Sequence, residues 1–195
     1  MTDDVDWLRR IVYLSGYILN DISAMEVIPS FQVDHSNLKP GIYISRQDAV
    51  GDTCFTTYDI RMTACNHEPA VQPAALHTIE HLVATYLRNH PSWKDRIIYW
   101  GPMGCMTGNY LIVRGAYPCQ EIRELMVEAF TFVRDYNDVV PGTTADTCGN
   151  YLMHDLPMAK WEAERYLGRL QNEFCCEYPG LVRPTLDDGK TFFDA

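Results

Sequence analysis

Three things are missing from this chain, and each absence excludes a class of function. There is no cluster of Lys and Arg: 16 basic residues stand against 26 acidic ones, for a formal net charge of -10. Binding to a phosphate backbone depends on a basic patch that releases counterions, so no nucleic-acid partner is expected. There is no uncharged apolar run of the roughly 20 residues needed to cross a bilayer, so no membrane partner is expected and the protein should be soluble. There is no C-x-x-C pair either. The seven cysteines, at 54, 65, 105, 119, 148, 175 and 176, form an odd set without zinc-finger or redox spacing. The opening "MTDDVDW" is acidic where an export leader would be basic. Reduced thiols in a cytoplasm follow as the expectation.

What is present is apolar and evenly spread. Of 195 residues, 47% are hydrophobic and 12% aromatic, enough for one domain with a sizeable core but not comfortably for two. No internal repeat or low-complexity tract breaks the chain. Residues 7–19, "WLRRIVYLSGYIL", have helical spacing and read as an extension ahead of the main body. "VIPSFQVD", "GIYIS" and "TTYDIRM" are short, β-branched and aromatic, and bounded by Pro, Gly and Asp, which predicts three strands. A helix from Pro73 to the residues before Pro91 comes next, then strands "RIIYWG" and "NYLIVRG" around the turn "GPMGCMTG". Residues 119–136 stack Ile122, Leu125, Met126, Ala129, Phe130 and Val133 on one helical face. A last helix opens at Pro157, with Trp161, Leu167, Leu170 and Phe174 expected inward, and the tail after Tyr178 reads as loop. Strands gather on both sides of one central helix instead of alternating with helices, so the fold class expected is α+β, a mainly antiparallel sheet packed against helices in a single domain.

The central helix carries "HTIEH" in its first turns. At about 100° per residue, His77, Glu80 and His81 fall in one sector of the helix surface. Two imidazoles four residues apart can hold one divalent ion, with the intervening carboxylate left free to move protons. The order H-x-x-E-H is also that of inverted zinc peptidases. A helix with two histidines bonded to nearby carbonyls is the bland alternative. A metal needs further ligands, and Cys105, in the glycine-rich turn, and Cys148, at the end of a polar loop, are both candidates by context. Spacing does not choose between them. Cys119, Cys175 and Cys176 read as incidental or buried thiols. His67, His90 and His154 read as surface or structural residues, with His154 the first alternative ligand because it lies close to Cys148.

Taken together, "SFQVDH", "TTYDIRM", "HTIEHLVATYLRNH", "GPMGCMTGNYLIV" and "CGNYLMHDLPMAK" resemble, in order, the S-ribosylhomocysteine lyase (LuxS) family from about Val27 to the last helix. The resemblance implies His77, His81 and Cys148 as ligands of one divalent metal per subunit, Fe²⁺ with Zn²⁺ or Co²⁺ able to replace it. It implies Glu80 and Cys105 as the acid/base pair, and Ser30, His35 and Arg61 as contacts to the substrate. It further implies a homodimer with active sites at the interface. The activity implied is cleavage of S-ribosyl-L-homocysteine to L-homocysteine and 4,5-dihydroxy-2,3-pentanedione, the precursor of the quorum-sensing signal autoinducer-2 and a step of homocysteine recycling. The lyase domain would span residues 25–178, with residues 1–24 as an N-terminal extension or as translation ahead of a start at Met25, and 179–195 as a tail. Met106 departs from the family, which carries a polar residue after the key cysteine. The rival readings are an H-x-x-E-H metallopeptidase, which would want a carboxylate as third ligand, and a non-catalytic metal-binding relative, which would have no use for both Glu80 and Cys105.

Overall fold

The structure is a computed structural model that describes residues 28–172 and 174–180. The expected helix over residues 7–19 lies outside them. Residues 28–32 group apart from the body that begins at Val33, and the two are taken separately. The first holds only the short helix α1 (Pro29–Gln32), so the strand expected for "VIPSFQVD" is not there. Proline suits the first turn of a helix and lacks the N–H that a ladder needs, and Phe31 N–H closes the turn on Ile28 O at 2.9 Å.

The body contains β1 (Gly41–Val50), β2 (Thr53–Arg61), α2 (Pro73–Asn89), β3 (Ile97–Pro102), β4 (Gly108–Arg114), α3 (Cys119–Asp135) and α4 (Leu156–Asn172). The four strands form one antiparallel sheet in the order β1-β2-β4-β3, which bears out the α+β expectation with one strand fewer. Between β1 and β2 a two-residue turn puts Gly51 at φ 58°, a backbone region open to glycine at little cost. Gly108 starts β4 against the carbonyl of Ile60, where a Cβ would collide with that oxygen.

One face of the sheet is covered by helices. Ile42, Tyr58, Ile60, Trp100, Leu111 and Val113 from the strands bury against Leu76, Ile79, Leu82 and Val83 of α2 and the expected stripe Ile122 to Val133 of α3. Pro73 stands at the first position of α2, and the helix stops at Asn89, with His90 extended at φ -66° and ψ 128° as a residue before proline must be. Asp155 caps α4, accepting from Met158 N–H at 2.9 Å. On α4, Tyr166, Leu167 and Leu170 turn inward, but Trp161 does not: it is 55% exposed, with the Arg165 guanidinium 5.0 Å over its ring. Its neighbour Glu162 is the buried residue, paired with Arg165 at 3.0 Å. Phe174 packs on the core from beyond the helix end.

The opposite face of the sheet is polar near its middle. Asp59 and Arg61, two residues apart on β2, are both buried there, beneath a small cluster of Leu38, Tyr43 and Cys65 with Val33 and Tyr178 packed on it.

Candidate metal centre and active site

The helical period puts His77 and His81 one above the other on α2, with their rings 4.7 Å apart and nearly perpendicular. Each ring is oriented from behind by a carbonyl outside the helix. His77 Nδ1 lies 2.8 Å from Met153 O, and His81 Nδ1 lies 2.7 Å from Pro141 O. A carbonyl only accepts, so each Nδ1 carries the proton and each Nε2 presents a lone pair. Those lone pairs meet Cys148 Sγ, at 3.5 Å from His77 Nε2 and 3.9 Å from His81 Nε2. Asn150 N–H donates to the same sulfur at 3.4 Å.

Ligand atoms around a tetrahedral ion with ordinary metal–nitrogen and metal–sulfur bonds stand about 3.6 Å apart. The spacing here fits, as does the chemistry of two neutral imidazoles and a thiol that a metal readily deprotonates. His154 joins the group: one donor atom from each of His77, His81, Cys148 and His154 lies within 4.8 Å of every other. Its ring stacks on His77 with centroids 4.1 Å apart. Thr78 holds it. The Thr78 hydroxyl donates to Ala74 O at 2.8 Å and receives Asp155 N–H at 3.0 Å. Its remaining contact, 3.2 Å to His154 Nδ1, is therefore a hydrogen bond that the hydroxyl oxygen accepts from the ring N–H. Nε2 is left as a bare acceptor, buried and without a partner among the described residues. Burial first, then the proximity of His77 and His81, pushes the His154 pKa down to about 4, so the ring is neutral at pH 7.

A second group gathers on β2 and in the turn from β3 to β4. Arg61 grips Asp59 with two bonds, 3.0 Å from Nε and 2.6 Å from Nη2. Burial opposes its charge, and the carboxylate outweighs burial, so its pKa is raised above the ordinary value. The remaining arm, Nη1, reaches Thr107 Oγ1 at 2.5 Å, Cys65 Sγ at 3.5 Å and Cys105 Sγ at 3.8 Å. Burial alone would push the Cys105 thiol up. The Thr107 hydroxyl and backbone N–H, and then Arg61, more than reverse this and hold it below the usual thiol value. Met106 occupies the left-handed region at φ 59°, and its side chain packs on the main core.

Among the expected site residues, His77, His81 and Cys148 come together in the first group, and Arg61 and Cys105 in the second. Glu80 is half-buried on α2, one residue from His81. His35 Nδ1–H donates to Val33 O at 2.8 Å, and the His35 ring also contributes to the electrostatics of Asp59. Ser30 lies on α1, outside the body. Among the described residues no hydrogen bond or ion pair joins the two groups directly. Asp59, Thr78 and Thr107 were not foreseen. Asp59 could have been, since it alternates with Arg61 on one face of β2.

Residues 28–174 match the family model described as S-Ribosylhomocysteinase (LuxS). The S-ribosylhomocysteine lyase of Phocaeicola vulgatus is 60% identical over 143 residues, covering 73% of this chain and 89% of the relative. That of Porphyromonas gingivalis is also 60% identical over 143 residues, covering 73% and 90%. That of Clostridium beijerinckii is 50% identical over 143 residues, again 73% and 90%.

Proposed function

The chain belongs to the S-ribosylhomocysteinase (LuxS) family, and from that premise we propose that it cleaves the thioether of S-ribosyl-L-homocysteine to L-homocysteine and 4,5-dihydroxy-2,3-pentanedione. The observation that supports this most is the meeting of His77 and His81 with Cys148, 67 and more residues away in sequence, with both Nε2 lone pairs turned toward the sulfur.

The reaction sets the demands on these residues. The C–S bond at C5 of the ribose cannot break by elimination until a carbonyl stands at C3, beside an acidic C4 hydrogen. The carbonyl must therefore move from C1 to C2 and then to C3 by two enolisations before a β-elimination expels the homocysteine thiolate. A divalent ion held by His77, His81 and Cys148 supplies Lewis acidity toward the sugar oxygens; Fe²⁺ is the proposed native ion, with Zn²⁺ or Co²⁺ as substitutes. Cys105 Sγ, held below the ordinary thiol pKa by Thr107 and Arg61, takes and returns protons at the sugar. The Glu80 carboxylate beside His81 is its partner in that transfer. Ser30, His35 and Arg61 are the proposed contacts to the substrate.

The lyase domain is proposed to span residues 25–178, and two copies are proposed to pair through the sheet face that carries Asp59 and Arg61. Tyr99 on that face is 45% exposed, and Phe55, Tyr110 and Ile112 are only half-buried, which leaves an apolar surface for a partner. All seven cysteines are free thiols, in keeping with a cytoplasmic setting and a role in homocysteine recycling or autoinducer-2 supply. Among the described residues no helix is long and apolar enough to cross a membrane. A metallopeptidase is disfavoured because Cys148 and His154 stand where it would want a carboxylate.

The test is release of free thiol from S-ribosylhomocysteine by anaerobically purified, iron-loaded protein, with Cys105→Ala as the control. Metal-dependent release that the substitution abolishes supports the lyase and the role of Cys105 together. A folded, metal-loaded protein that releases nothing refutes the reading and favours a binding-only relative.

A further inference from the structure

The Thr107 hydroxyl stands between two groups of opposite hydrogen-bonding character. On one side is Arg61 Nη1 at 2.5 Å, and on the other Cys105 Sγ at 3.0 Å. A guanidinium has donors and no acceptor, so the hydroxyl oxygen receives from Arg61 and its single hydrogen must go elsewhere. The Cys65 thiol, at 4.0 Å, donates toward the same oxygen and takes no hydrogen from it. The hydroxyl hydrogen therefore goes to Cys105 Sγ, at 3.0 Å.

Both ends of this arrangement are fixed. Thr107 O accepts from Met62 N–H at 2.9 Å and Thr63 N–H at 3.2 Å, which anchors the residue to the strand end that carries Arg61. A β-branched side chain has few χ1 choices. Arg61 is locked by its two bonds to Asp59. The hydroxyl is therefore oriented before any substrate arrives.

We infer that Thr107 is a positioning residue for the proposed reaction: its hydroxyl, polarised by Arg61, donates one hydrogen bond to the Cys105 thiolate and thereby sets the pH at which Cys105 can accept a proton. The other groups that act on this sulfur are Arg61 itself, with Asp59 behind it on β2, Tyr110 on β4, which interacts electrostatically with Cys105, and the thiol of Cys65, which shares Arg61 Nη1. None of them supplies what Thr107 does, a hydroxyl hydrogen 3.0 Å from the sulfur. The Thr107 backbone N–H also donates to the sulfur, and side-chain substitution leaves it in place.

The inference rests on the reading of Cys105 as a proton-transfer group, and the experiment separates the two. The rate of iodoacetamide alkylation at Cys105 is followed against pH in the full-length, metal-loaded protein, with the modified peptide quantified by mass spectrometry. No turnover is involved, so the midpoint reports on Thr107, whereas thiol release by Cys105→Ala reports on the catalytic reading. Thr107→Val keeps the shape and removes the hydroxyl, Thr107→Ala removes it with less risk to packing, and Thr107→Ser restores it. The expected result is a midpoint raised by about one pH unit in the Val and Ala variants, returned to within about 0.3 unit of the wild type in Ser. Unchanged midpoints in Val and Ala, or a Ser variant displaced as far as Val, overturn the inference. A wild-type midpoint at or above that of an ordinary thiol overturns it without any variant.

Discussion

Replacing Arg61 with methionine tests the buried pair on which the second group depends. The side chains of Arg61 and Asp59 are each only 3% exposed, so Arg61→Met leaves a carboxylate out of water with, among the described residues, one remaining side-chain donor, the Tyr178 hydroxyl at 3.2 Å. Breaking a buried pair by removing one member costs about 3–5 kcal/mol. At roughly 2–4 °C per kcal/mol for a chain of this size, the melting temperature should fall by about 6–20 °C. The loss should depend on pH, and its sign follows from the carboxylate. Burial raises the Asp59 pKa in the folded protein, and in the variant no guanidinium opposes that rise. A group whose folded pKa lies above its unfolded one adds stability below the unfolded value, and that stability is lost as pH rises through the folded value. The deficit of Arg61→Met is therefore larger at pH 7 than at about pH 4.5. Urea unfolding at both pH values measures it, and Asp59→Leu combined with Arg61→Met should recover most of the loss. A deficit below about 1 kcal/mol at pH 7, or one equal at both pH values, would refute the reasoning.

Three further outcomes are expected. Cys105→Ala should lower homocysteine release by about 100-fold or more while metal content, read by elemental analysis, stays unchanged; release near the wild-type rate would remove Cys105 from the chemistry. Gly142 sits at φ 71° with a Cβ position 3.3 Å from His81 Nδ1. Gly142→Ala should therefore cost about 1–2 kcal/mol of stability and crowd the ring that Pro141 O orients, and full metal retention against a chelator would show that the crowding is harmless. His154→Ala should weaken metal binding by about 10–100-fold in competition with a chromophoric chelator. His154→Phe, which keeps the stack on His77 without the nitrogen, should recover the affinity if stacking is what matters and not if Nε2 is.

The helices were largely legible in the chain. The apolar stripe of α3 and the limits of α2, with Pro73 at its start and Pro91 beyond its end, follow from period and proline chemistry, and the structure reproduces them. The segment around Pro29 did not, because β-branched neighbours suggested a strand while the proline itself favours a helical turn. Trp161 was expected inward as a large apolar residue, yet a cation–π contact with Arg165 satisfies it at the surface, and Glu162 takes the buried place through its ion pair. At the candidate metal centre, helical spacing revealed His77 and His81 but could not choose between Cys148 and Cys105; the family resemblance pointed to Cys148, and the fold brings it to His77 across 71 positions. The same limit hid the link from Arg61 to Cys105, 44 positions apart. Thr107, two residues from Cys105, was close enough to suspect, but nothing in a sequence says where a hydroxyl points.

The strand β1 lies at the rim of the sheet, where an open row of N–H and C=O groups can template pairing with a foreign strand. This rim is blunted along most of its length. At its start, Ile42 N–H is spent on Cys175 O at 3.0 Å, and Gly41 lets that carbonyl come close. In the middle the ladder is irregular between Ile44 and Arg46, and beyond it Arg46 and Asp48 set a 2.6 Å ion pair on the strand. The few residues that follow α4 thus guard against edge-to-edge aggregation. A chain cut just before Cys175 loses the carbonyl that occupies Ile42 N–H, and with it the Tyr178 hydroxyl that donates to Asp59.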